Sequence, residues 1–201
     1  MKESRQSPSE EKSTRLVIME RVLETLETTP IDQIQVTELS RSIYISRGTF
    51  YLYFDSVADV VDQTQNEFFY DFYEAVDPYV FLPFDDRYFD EPYPFLLAGN
   101  RFAKNHKLYY QSLFGPNGNA AFKRDARASI RQFTFDRAFE QNYIVIDERY
   151  HNVAAEYMVT GYLQGLIPTV TQEDDLSDVE KAVFIYRLLF APYRPGWRGE
   201  E

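Results

Sequence analysis

The chain has 201 residues, a net charge of −11, no cysteine, and 44% hydrophobic against 26% charged residues. That composition suits an ordinary globule of one or two domains. It excludes disulfides and thiolate metal sites and argues against non-specific adhesion to nucleic acid or to an anionic membrane.

Residues 1–13, MKESRQSPSEEKS, are polar and mixed in charge, with no apolar core of a signal peptide, and read as a disordered tail. From Thr14 to Thr28, Leu16, Met19, Leu23 and Leu26 recur at helical steps beside Val22, and Thr29-Pro30 ends the helix. VTELSRSIYISRGTFYLYF, residues 36–54, opens as a helix, breaks at a β-branched patch and restarts at a glycine. A longer helix is expected over 56–76, with Val57, Val60, Val61, Thr64, Phe68, Phe72 and Val76 on one stripe. Residues 77–94 hold four prolines among acids and aromatics, which forbids one continuous helix and predicts a loop or a very short helix. Helical spacing resumes from Phe95 through Phe102 to Leu108 and Phe114, and Gly115-Pro-Asn-Gly118 is a turn. Helices follow over 120–140, with Phe122, Ala126, Ile130, Phe133 and Arg137 in step, and over 147–167, stopped by Pro168. Ser177 and Glu180 have capping-box spacing and open a last helix to Leu189. No strand alternation is sustained and no run nears the ~20 apolar residues of a membrane span. The fold expected is all-α, and the protein a soluble cytoplasmic one that does not touch a membrane.

The broken helix has a physical use. Two short helices joined by a tight turn form a helix-turn-helix, which lays its second helix in the major groove of DNA. Leu39 and Ile43 give the first helix an inward face, Ile45 packs inside the turn, and Ser46 caps the second helix. Arg47, Gly48 and Thr49 then form the end that meets base edges, while Tyr51 and Tyr53 offer hydroxyls to phosphates and Phe50 and Phe54 turn inward. The plain alternative is two packing helices of a bundle that binds no DNA.

Val36, Leu39, Ser40 and Ile45, followed by the unbroken run Ser46 to Phe54, resemble the signature of TetR-family regulators over residues 14–65. The resemblance implies about nine helices: a three-helix DNA-binding domain over 14–55, and a larger ligand-binding and dimerising domain over 56–201. Carried over by position, it places DNA contacts on Thr37, Ser46, Arg47, Gly48, Thr49, Tyr51 and Tyr53, with Leu52 at a further frequent contact position. Arg47, Thr49 and Thr37 are the candidates for base reading. The chain departs from the family at three positions: Val57 stands where a lysine usually grips phosphate, Tyr44 where the turn has glycine, and Gln35 where threonine is usual. Residues 1–60 also hold seven Lys/Arg against ten Asp/Glu, so few phosphate contacts and a shallow salt dependence are expected.

KNHKLYYQSLFGPNG, residues 104–118, with Phe122 and the later GYLQGLIP, resembles the C-terminal domain of DhaS-like members of that family. The resemblance implies a homodimer through the last two helices. Ala154, Met158, Gly161 and Gly165 would allow close helix approach there, unless they are internal core. The surplus of 17 Phe and 16 Tyr suggests a cavity for a small apolar or aromatic effector. Phe68, Phe69, Phe72, Phe102, Tyr109, Tyr110, Phe133 and Tyr157 are its candidate lining, although a stripe at helical spacing is equally what a core shows.

Catalytic chemistry is not expected. Glu148 and His151 have the Glu-x-x-His spacing of di-iron bundles, but it occurs once, and no nucleophile elbow or phosphate-cradling loop is present. Asp85, Asp86, Asp90 and Glu91 lack Ca²⁺-loop spacing. No cofactor and no metal is expected. The reading is a sequence-specific DNA-binding regulator, a repressor by family habit, which works as a dimer on an operator. The rival is a TetR-like dimeric interaction protein whose DNA binding is weak or lost.

Overall fold

A computed structural model describes residues 8–171 and 175–193, with side chains over 13–166 and 175–192. The described residues are helices and connections, without strands. They divide into two compact units: the chain up to Tyr70 with Leu108–Asn119, and Asp71–Lys107 with the residues from Ala120 onward.

In the first unit, α1 (Pro8–Leu26) precedes α2 (Val36–Ser42), α3 (Arg47–Tyr51) and most of α4 (Val57–Val76). The helix α1 starts at Pro8, ahead of the Thr14 expected, with Ser9, Glu10 and Glu11 in its first turn. Its buried stripe is Ile18, Met19, Val22, Leu23 and Leu26, whereas Leu16 is 41% exposed. Ile18, Val22 and Leu26 recur at steps of four, so the inward face lies to one side of the expected one and Leu16 falls off it.

The α4 stripe is as expected at Val57, Val60, Val61, Thr64, Phe68 and Val76, which are buried, whereas Phe72 is only half-buried. Arg15 ties α1 to α4 through Gln63 (2.9 Å) and Glu67 (2.6 Å), and its guanidinium lies over the Phe54 ring. After α6 (Lys107–Leu113), the Gly115–Gly118 turn closes on itself, and the Asn117 amide donates to the Leu26 carbonyl at the end of α1 (3.0 Å). Glycine is required at 118, because a Cβ would lie 1.9 Å from the Leu113 carbonyl oxygen.

The second unit holds α5 (Pro94–Asn105), α7 (Ala120–Arg131), α8 (Arg137–Glu140), α9 (His151–Thr171) and α10 (Asp178–Phe190). Between α7 and α8 the helix runs on as a π-helical stretch, Gln132–Asp136. The wider turn accommodates an extra residue and rotates the side chains beyond it about the helix axis. Thr134, Phe135 and Ala138 therefore face the core, and Phe133 and Arg137, expected there, are only half-buried. Helix α9 continues through Pro168 to Thr171 instead of stopping before it. Proline withdraws one backbone donor, which a helix survives with a local distortion. The capping box at the start of α10 forms as expected, with the Glu180 amide donating to Ser177 Oγ and the Ser177 amide to the Glu180 carboxylate.

Residues 77–93 contain only two 3₁₀ turns, Asp77–Tyr79 and Asp86–Phe89. Their aromatics do more than a solvated loop would. Phe84, Tyr88, Phe89 and Tyr93 are buried and meet Tyr186 and Phe190 of α10 ring to ring. Tyr186 donates its hydroxyl to the Asp85 carbonyl, and Tyr93 to that of Leu82, so each polar tip is paired as its ring is buried. Burial pushes the Tyr93 phenol up to about 12, although the Arg137 cation opposes the shift.

Candidate nucleic-acid interface

The helix-turn-helix is built by local chemistry. α2 ends in a Schellman motif: the Tyr44 amide donates to the Arg41 carbonyl and the Ile45 amide to that of Ser40. This closure needs a left-handed residue, and Tyr44 supplies it with φ of 59°. Its side chain is 96% exposed, so no packing compensates the strained backbone. Ser46 then caps α3 by accepting from the Thr49 amide (2.9 Å), and its hydroxyl also lies 2.9 Å from Thr49 Oγ1. Phe50 and Phe54 are buried against each other with centroids 6.1 Å apart, which fixes which edge of α3 faces outward.

On that outward edge, Ser46, Arg47, Gly48 and Tyr51 are exposed, as is Thr37 in the first turn of α2, while Thr49 and Tyr53 are half-buried. Leu52 beside them is 78% exposed. The seven expected contact residues thus lie on the two short helices, at the cap between them and in the turn after them, and none is sealed in the core. Thr49 differs from expectation in one respect: its hydroxyl is engaged with the cap, which leaves its methyl as the freer group. Gly48 is informative. A Cβ there would meet only Ser46 Oγ, at an ordinary 3.5 Å, so the protein's own packing does not demand glycine.

The start of α4, at Val57, is closed by acids. Val57 is buried. The Asp59 amide donates to Ser56 Oγ (3.0 Å), and the Asp59 carboxylate accepts from the Asp55 amide (2.9 Å) and the Gln63 side chain (3.0 Å). The Gln63 bond first, and the Asp55 amide second, hold the Asp59 carboxyl below its usual range.

The aromatics considered for a cavity pack ring to ring within each unit. Phe68 packs with Phe69, Tyr109, Tyr110 and Phe114 in the first unit. Phe72 meets Phe102, and Phe133 meets Tyr73, in the second. Tyr157 lines no interior, because it is 78% exposed on the outer side of α9. It borders a groove of about 640 Å³ between α9 and α10, lined also by Gly161, Gly165, Phe184 and Leu188. Phe184 and Leu188 are more than half exposed, and nothing lies within 4 Å of a Cβ built on Gly161 or Gly165. Met158, expected beside them, is buried, although it reaches the groove floor. The spacing of the two glycines signalled this face; the aromatic count did not.

Neither imidazole stands open. His151 stacks on Phe139 (4.1 Å) with a ring nitrogen 3.2 Å from the Ile146 carbonyl, and His106 stacks on Phe102 (4.0 Å). Among the described residues no cluster of His, Asp and Glu could hold a metal ion, and no helix is long and apolar enough to cross a membrane.

Solved structures resemble the chain along nearly its whole length. A TetR-like transcriptional regulator from Rhodococcus sp. RHA1 aligns with a TM-score of 0.66 at 13% identity, covering 94% of this chain and 98% of that one. The fatty acid degradation regulator FadR from Bacillus halodurans aligns at 0.60 and 14%, covering 97% and 99%. The dihydroxyacetone kinase operon activator DhaS aligns at 0.51 and 18%, covering 90% and 96%. No family model and no curated protein matches. The fold is therefore that of TetR-like regulators, all-α as the helical spacing indicated.

Proposed function

We propose that the protein is a sequence-specific DNA-binding transcriptional regulator of the TetR type, acting as a homodimer and controlled by a small molecule. The observation that carries this is the exposed edge of α3. Arg47, Gly48 and Tyr51 face outward from a buried Phe50–Phe54 anchor, with a glycine that the protein's own packing does not require. Arg47 reads a base with its guanidinium fork. Thr49 contributes a methyl, and Ser46, Tyr51, Tyr53 and Thr37 position the backbone. The resemblance to solved regulators supports the reading at the level of fold.

The groove between α9 and α10 supports the dimer. An exposed apolar strip with two uncovered glycines is a surface that a second copy would bury, setting two reading heads on half-sites about 34–36 Å apart. Occupation of an operator by such a dimer represses transcription, and a ligand favouring another head spacing relieves it by its differential affinity for the two states. The α4 start favours a second reading, a dimeric interaction protein with weakened DNA binding: Val57 is buried there and Asp55 and Asp59 flank it.

Selection of genomic fragments by the purified protein separates the two. An enriched sequence is expected, with Arg47→Ala relaxing the preference by about 1–3 kcal/mol at one base position. No enrichment even at low salt would leave the interaction protein. Leu188→Asp should turn the dimer into a monomer in sedimentation; an unchanged dimer would remove the α9–α10 groove from the interface.

A further inference from the structure

The turn between α2 and α3 holds a bulky residue where the backbone is least suited to one. Tyr44 sits at φ of 59°, a region that side chains of its size rarely enter, and its own side chain is 96% exposed. Ile43 and Ile45 on either side are half-buried, so the phenol is turned outward between two inward neighbours. Glycine would close the same Schellman motif without strain. A strained residue that supports no packing points to a role outside the fold. Two further observations say which. The first is charge: from Leu39 to Phe54 the chain carries two arginines, Arg41 and Arg47, both exposed, and no carboxylate, although its first 60 residues are acidic overall. The second is position. In a helix-turn-helix the first helix crosses the sugar-phosphate backbone, and the second enters the groove by its N-terminal end. The segment joining them therefore stands at the groove rim, where the phosphates run. Tyr44 lies in that segment: its amide donates to the Arg41 carbonyl of α2 (3.2 Å), and two residues on, at most about 7 Å between Cα atoms, Ser46 caps α3.

We propose that Tyr44 is a further DNA-positioning residue, which donates its hydroxyl to a backbone phosphate at the rim of the groove that α3 enters. The inference rests on the proposed DNA binding and adds to it a contact outside the seven residues named above. The phenol suits the task. It is a donor facing an anionic oxygen, so the bond is charge-assisted. Its ring has few torsions to immobilise, so holding it against the duplex costs little entropy. A phosphate contact fixes register without reading sequence, and a neutral donor displaces no counterion. The contact therefore adds affinity to an acidic domain without adding salt dependence.

The test uses the full chain and the genomic fragment that the parent protein enriches, beside a copy of it with one base pair changed. Titrations at several salt concentrations compare the parent with Tyr44→Phe, which keeps ring and backbone, and with Tyr44→Gly, which removes the ring. Tyr44→Phe should bind both fragments about tenfold more weakly. The preference between them, and the slope of affinity against salt, should stay as in the parent. Tyr44→Gly should lose at least as much affinity although its backbone is the less strained, so weaker binding is not weaker folding. Both variants binding like the parent would overturn the contact and leave the exposed ring to a protein partner. Weak binding by the glycine variant alone would overturn the hydroxyl's role, and a changed base preference would overturn the phosphate as its target. These three results leave the DNA reading standing, whereas a parent that enriches no fragment removes both.

Discussion

Replacing Tyr44 by glycine should stabilise the helix-turn-helix. The residue closes α2 in the left-handed region, at φ of 59°, where an L side chain is strained by roughly 1–2 kcal/mol. Its side chain is 96% exposed, so its removal forfeits no packing. Glycine relieves the strain but gains freedom in the unfolded chain, which offsets about 0.5–1 kcal/mol. The net expectation is a gain of about 0.5–1 kcal/mol, or roughly 1–4 °C for a chain of this size. Tyr44→Ala is the informative partner: it deletes the same exposed ring but keeps the backbone strain, and should change stability little. Denaturant melts of parent, alanine and glycine variants, tracked by helical circular dichroism, give the three values. If alanine gains as much as glycine, the ring and not the backbone was the liability. A glycine variant less stable than the parent would refute the strain argument outright.

Gly48→Ala should fold normally, gaining up to about 1 kcal/mol in helix propensity, yet lose operator affinity in gel shifts; retained affinity would take Gly48 out of the interface. Gly118→Ala drives a Cβ against the rigid Leu113 carbonyl and should destabilise by about 3 kcal/mol or more in urea titrations. Alkaline stability should reflect Tyr93. Its unfolded phenol ionises near 10.0 and its folded one only at about 12, so the contribution of the protonated ring is complete below 10.0 and lost as pH rises through that window. The loss amounts to up to about 3 kcal/mol, and Tyr93→Phe should flatten that part of a stability–pH curve.

The helix-turn-helix was legible because its information is local. Cap, glycine and inward aromatics lie within the nine residues Ser46 to Phe54, directly after the turn, and each does what its chemistry allows without a distant partner. The Tyr44 strain was legible for the same reason. The 77–94 segment was not, since the burial of Tyr88 and Tyr93 depends on Tyr186, far along the chain. Periodicity also misplaced Phe133 and Arg137, because a π-turn leaves no mark in a hydrophobic pattern that remains helical on both sides. Tyr157 was misread as interior because spacing says which residues share a face and not which face is covered.

The helix Val57–Val76 contains neither glycine nor proline, so it has no built-in joint along about 30 Å of length. It begins shortly after Phe54, the aromatic anchor of α3, and is gripped in its first half and at its middle by Arg15, at Gln63 and Glu67. A rod of this kind magnifies small inputs: a lean of about 6° carries its far end sideways by about 3 Å, comparable with the ~3.4 Å rise of one base pair. Under the proposed function, a lean of that size puts the reading edge out of register by a whole step of the duplex.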